Sequence, residues 1–193
     1  MKKRIAAMVL MVCLAFTFMP VDKVDAASKK SLNNKKIYYI HHYSYNGCVL
    51  YANIYMMRRT AILKGANWHK IKISSARRKL CTGGNSMAWK YKYKAGGYTY
   101  IGRHGYLPGG YKKNKAKLKK LLKKHPEGIV VHGYDRYTSH GVLITEYKHG
   151  TFYAVDSAQN KGGRHAGVRK FSKCSLNSLG GCFQYWYLKK VEK

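Results

Sequence analysis

The sequence predicts a mixed α+β domain in which a cysteine-bearing helix packs on an antiparallel β-sheet. Three observations point there. An early apolar stretch keeps helical spacing, and the last third strings short β-branched and aromatic runs between Gly and Lys turns. Hydrophobic residues make up 46% of the chain, enough to build a core beneath a heavily charged surface. With 193 residues, one folded domain is the expected count.

The elements follow in chain order. Lys2, Lys3 and Arg4 precede an apolar run over residues 5–19, then Pro20 and the triplet Val24, Asp25, Ala26. This is the pattern of a secretory signal peptide over 1–26, too short to span a bilayer, where about 20 apolar residues are needed. Residues 27–36, rich in Lys, Ser and Asn, read as a flexible leader, and 37–193 as the folded domain. A short strand is expected over 37–40. A helix is expected over 48–64, with Leu50, Ile54, Met57 and Ala61 on one side, Asn46 as its N-cap and Gly65 as its stop. A second helix is expected over 75–81, ended by Gly83 and Gly84.

Lys90, Lys92 and Lys94 alternate with Tyr91 and Tyr93, as on an edge strand with one wet face. Residues 112–124 carry eight lysines around Ala116, Leu118, Leu121 and Leu122, an amphipathic helix lying on the core. Strands are then expected over 128–133, 141–147, 151–156, 167–171 and 182–189.

Charge and export constrain function. The chain has 38 Lys+Arg against 7 Asp+Glu, a formal charge of +31. The first 26 residues hold four basic and two acidic side chains, so cleavage leaves 34 and 5, a charge of +29 on an exported domain. Cationic partners are excluded. Anionic wall polymers or a membrane surface are the expected partners of the Lys-rich segment, with nucleic acid less favoured. The nine histidines show neither HExxH nor paired CxxC spacing, so neither a metal site nor a cofactor is expected.

Four cysteines remain after cleavage: Cys48, Cys81, Cys174 and Cys182. An oxidising compartment permits disulfides, and Cys174 and Cys182, eight apart around Gly180 and Gly181, are the candidate pair. Cys48 is placed differently. It opens a helix, where unpaired N–H groups favour a thiolate, and a nearby imidazolium would favour it further.

His140 and Asp156 are the candidate partners of that thiol, with His132 and His165 weaker rivals as the base because neither begins a strand followed so closely by Asp. A three-residue loop 148–150 with Gly150 left-handed would make opposed residue numbers sum to 298, so that Val142 faces Asp156 and His140 is its diagonal neighbour. Side chains alternate with period two, so His140 and Asp156 would share a face. A two-residue loop would separate them.

The blocks GCVLYANIYMMRR, HPEGIVV and SHGVLITEYKHGTFYAVDSA resemble the C39-like branch of the papain-like cysteine peptidases, over about residues 37–190. The resemblance implies a papain-like fold and a triad of Cys48, His140 and Asp156, acting on a peptide or amide bond. It also implies a Gln six residues before the Cys as oxyanion donor. That position is His42 here, which becomes the candidate for the role beside Tyr45 and Asn46. Transglutaminase-like proteins and secreted cell-wall amidohydrolases use similar Cys and His placements, so hydrolysis and acyl transfer both stay open. A catalytically inactive cationic binding protein of the cell envelope is the rival reading.

Overall fold

A computed structural model describes residues 31–40, 46–134, 139–158 and 166–193. The signal-peptide segment 1–26, the oxyanion candidates His42 and Tyr45, and the alternative base His165 lie outside the described residues.

The described residues form a mixed α+β structure with three helices and a large antiparallel sheet. In chain order the elements are α1 (Cys48–Leu63), α2 (Ile73–Leu80), β1 (Cys81–Gly83), β2 (Ser86–Met87), β3 (Lys90–Ala95), β4 (Tyr98–Tyr106), α3 (Tyr111–Lys124), β5 (Ile129–Tyr134), β6 (Ser139–Lys148), β7 (Thr151–Val155), β8 (Val168–Lys170) and β9 (Cys182–Glu192). Seven strands form one sheet in the order β3-β4-β9-β5-β6-β7-β8, while β1 and β2 form a small hairpin. Every pairing is antiparallel.

Two apolar cores lie on the sheet. One gathers α1 and α2 with Val130, Leu143, Val155, Trp186 and Leu188. The other gathers Leu118 of α3 with Val131, Val142, Ile144 and the segment around Cys174, Leu176 and Leu179. Strand alternation explains the division, since Val130 and Val131 point to opposite sides.

Helix α1 forms where its spacing predicts, yet 14 of its 16 residues are buried, so it has no wet face. Its two arginines are internal struts. Arg58 donates to the carbonyls of Ile37, Tyr39 and Ile71, and Arg59 to those of Glu127 and Pro126 and to the Tyr38 hydroxyl. The N-cap is Gly47 rather than Asn46, and no side chain caps the helix.

The strand expected over 37–40 is instead a 3₁₀ turn, Lys35–Tyr38, capped by the Asn34 side chain accepting from Lys36 N. The leader expected to be flexible through Lys36 is tied down earlier. Leu32 is buried, and its carbonyl accepts from the Tyr38 hydroxyl at 2.6 Å. Strand β3 is the edge expected, with Tyr91 and Tyr93 inward and the lysines outward. Helix α3 buries Leu118 together with Asn114, whose amide donates to the carbonyls of Leu179 and Cys182.

The β6–β7 hairpin reaches the expected register by another route. Its loop is the two-residue turn His149–Gly150, with φ of 46° and 78°, both left-handed as a type I′ turn requires. Pairs beside the turn, such as Tyr147 with Phe152, therefore sum to 299. A bulge at Thr145 then adds the missing residue inside the strand, and Ile144 pairs Ala154 and Leu143 pairs Val155, summing to 298. His140 and Asp156 thus share a face because of Thr145.

Candidate active site

The site lies at one end of the sheet, where β6 begins, β7 ends and α1 begins. Gly141 makes this convergence feasible. A Cβ there would stand 2.7 Å from Cγ2 of Val49, so only glycine lets the first turn of α1 rest on β6.

His140 Nε2 lies 2.7 Å from Asp156 Oδ1, with the histidine 7% exposed and the aspartate fully buried. Asp156 is held from two further directions: Ala158 N donates to Oδ1 at 2.9 Å and Ser175 N to Oδ2 at 2.6 Å. Burial opposes its charge, but the His140 contact and these N–H groups outweigh it and lower the Asp156 pKa. A carboxylate that only accepts fixes Nε2 as a donor. The other ring nitrogen is left free of Asp156, and Cys48 is near enough to the His140 side chain to raise its proton affinity.

Burial disfavours charge on the His140 ring. The hydrogen bonds to Asp156 and Cys48, and the negative charge of both partners, more than compensate, and the pKa is pushed up to about 9. At neutral pH the imidazole therefore holds its proton, beside the Cys48 sulfur.

A cleft of about 730 Å³ opens over Cys48 and His140. Asn46 lines it, as do Trp89, His132, Ser139, Gln184 and Trp186. Among the described lining residues there is no Lys, Arg, Asp or Glu. Trp89 is 60% exposed and stacks on His104, with ring centroids 5.1 Å apart.

The expected Cys174–Cys182 disulfide is not formed; both are buried free thiols. Each sulfur turns to a carbonyl four residues earlier in its own segment, Cys174 to Lys170 O and Cys182 to Ser178 O. Burial pushes both thiols up to about 12. Cys81 is free and half-buried, its thiol also raised by burial. Among the described residues no group of three or more His, Cys, Asp or Glu could hold a metal ion.

Sequence reasoning set His132 aside as a weaker rival for the base. It is in fact part of the site wall, bonded through Nδ1 to Gln184 Oε1 at 3.1 Å and through Nε2 to the Ser139 hydroxyl. Ser139, immediately before His140, carried a positional hint. Gln184 lies 52 residues from His132 and carried none.

No family model matches this chain, and neither a curated protein nor a solved structure matches it.

Proposed function

We propose that the chain is an exported thiol hydrolase of amide bonds, a papain-like cysteine peptidase using Cys48, His140 and Asp156, held near an anionic cell envelope by its lysine-rich helix. The observation that carries this reading is the buried His140–Asp156 hydrogen bond placed beside Cys48, with Cys48 and His140 open to one cleft and Asp156 buried behind them.

The chemistry follows from the charges. The raised proton affinity of His140 lets the ring take and hold the Cys48 thiol proton, and the sulfur attacks a substrate carbonyl as a thiolate. Negative charge develops on the carbonyl oxygen beside the first N–H groups of α1, which have no intrahelical acceptor and no side-chain cap. His140 then gives its proton to the leaving amine as the C–N bond breaks, leaving a thioester on Cys48. Neutral His140 takes a proton from water or from an acceptor amine, which attacks the thioester and restores the thiolate–imidazolium pair. Asp156 keeps the ring oriented throughout.

Cation placement supports the envelope half of the reading. Lys112, Lys113, Lys117 and Lys120 are exposed on α3, and the N-terminal segment has the features of an export signal.

Alkylation with iodoacetamide at pH 7, mapped by mass spectrometry, tests the thiol. Cys48 should be modified well ahead of Cys81, Cys174 and Cys182, and His140→Ala should abolish that preference. Release of new amino groups from a peptide mixture should vanish in Cys48→Ala and His140→Ala, while salt-sensitive adsorption to an anionic polymer persists. Slow alkylation of Cys48, or amine release unchanged in both variants, would sink the enzyme reading and leave a binding protein.

A further inference from the structure

We propose that the side-chain amide of Gln184 is the second oxyanion donor of this site, aimed by His132 and Ser139. The inference rests on the thiol-hydrolase reading and names the group which that reading lacks. The sequence has His42 six residues before Cys48, and its other glutamine, Gln159, lies outside the described residues.

The sheet brings Gln184 to the cleft. It is the Cα partner of His132 across β9 and β5, and His132 is in turn the partner of Gly141 across β5 and β6. Gln184 therefore stands two strands from the residue beside His140, about 10 Å at the backbone for ladders spaced about 4.8 Å apart. Its side chain bridges part of that distance and lines the same cleft as Cys48 and His140.

The His132 contact determines which end of the carboxamide faces the cleft. Gln184 Oε1 can only accept, so the bond from His132 requires a proton on Nδ1. Burial, opposed by the Gln184 bond and aided by nearby His140, lowers the His132 pKa, so the ring is neutral and its Nε2 accepts from the Ser139 hydroxyl. The chain Ser139 to His132 to Gln184 thus runs in one direction. It occupies the amide oxygen and leaves the amide NH₂ as the donor. The rings of Phe183 and Trp186 pack against His132, with centroids 5.3 and 6.3 Å away, and confine it.

Two other donors in the wall are less suited. Trp186 Nε1 is committed to Ala88 O at 3.1 Å, and Asn46 is exposed on the turn before α1. Gln184 is oriented from behind by groups that have no part in the thiol's own proton transfer.

Two probes separate an oxyanion donor from a structural residue. Iodoacetamide alkylates the thiolate by direct displacement and forms no oxyanion, whereas p-nitrophenyl acetate acylates it through a tetrahedral oxyanion. In Gln184→Ala and in the near-isosteric Gln184→Glu, alkylation of Cys48 should stay within about 2-fold of wild type while acylation falls about 10²–10³-fold. His132→Ala should show the same split at about 10-fold, because it loosens the amide without removing it.

An equal fall with both probes would make Gln184 a structural residue, and undiminished acylation in Gln184→Glu would remove it from the oxyanion site. Both results would overturn the inference and leave the Cys48–His140 pair intact. Failure of the wild-type Cys48 to react preferentially with iodoacetamide would instead defeat the reading on which the inference stands.

Discussion

The cleft over Cys48 and the cavity beneath α3 are built from opposite materials. The first has no charged side chain among its described lining apart from the reacting pair, on a chain whose formal charge is +31. The second, about 580 Å³, is lined by Arg59, Lys119, Lys123 and Lys148 with Glu146 facing them. A thiolate–imidazolium pair placed among lysines would have its proton affinities set by the surrounding field and by salt. Walls without charged side chains leave the proton affinity of His140 to burial and to its neighbours Asp156 and Cys48. Under the proposed function, bond chemistry falls to the end of the sheet where β6 begins and attachment to the region near the end of β6.

The test with the largest expected effect is Asp156→Asn. The amide cannot match the carboxylate's hold on His140, and turnover should fall about 10²–10⁴-fold while salt-sensitive adsorption is unchanged. Its pH signature is directional. His140 is raised from its ordinary 6.5 to about 9, so the wild-type pH–rate profile should hold into the alkaline range and fall as pH passes about 9. In Asp156→Asn that limb should move down toward the ordinary imidazole range. An unmoved limb would mean that Asp156 does not set the charge of His140. The same shifts govern stability. The raised His140 stabilises the fold fully below 6.5, a contribution lost as pH climbs through about 9. The lowered Asp156 stabilises above the ordinary carboxylate range and ceases to do so as pH falls through its depressed value.

Replacing Lys112, Lys113, Lys117 and Lys120 by Gln, on the exposed face of α3 and outside the cavity beneath it, tests attachment. With about 1 kcal/mol per lysine near an anionic surface, adsorption to anionic vesicles should weaken about 10³-fold at low salt, and less as salt rises. Hydrolysis of a small soluble substrate should stay within about 2-fold. A matching loss of turnover would show that the two regions are coupled and that the division drawn between them is wrong. These four leave in place Lys115 and Lys119, whose ammonium groups lie over the Tyr147 ring at 5.8 and 4.7 Å; of the four, Lys117 lies 6.0 Å from the Tyr185 ring.

The site was legible where chemistry and local spacing coincide. Cys48 at the head of an apolar helix, and His140 and Asp156 at the two ends of a hairpin, follow from residue type and period. The hairpin also shows where such reasoning weakens. It needed one extra residue and placed it in the loop, whereas His149–Gly150 closes a tighter turn and Thr145 takes the extra residue into the strand. Both routes give the same register at the site, so alternation alone could not separate them. Residues 37–40 read as a strand from their β-branched and aromatic side chains, whereas the chain forms a 3₁₀ turn over Lys35–Tyr38. What holds it there includes Arg58, reaching Ile37 O from 21 positions away. Gln184 was invisible for the same reason, since its meaning comes from a strand partner 52 positions distant.

The two kinds of cation supply the smallest and most local test. Arg59 and Lys113 carry the same charge, but Arg59 is 5% exposed and bonded to Glu127 O at 2.7 Å, Tyr38 Oη at 2.9 Å and Pro126 O at 3.3 Å. It ties α1, which positions Cys48, to the residues just before β5. Arg59→Ala would leave those acceptors without their donor and a void beside the helix, and should cost about 2–4 kcal/mol in urea unfolding. Lys113→Ala, on the exposed face of α3, should change stability by less than about 0.5 kcal/mol. If the two variants unfolded at the same urea midpoint, the buried guanidinium would be no strut. Charge in this chain would then have a single role, at the surface.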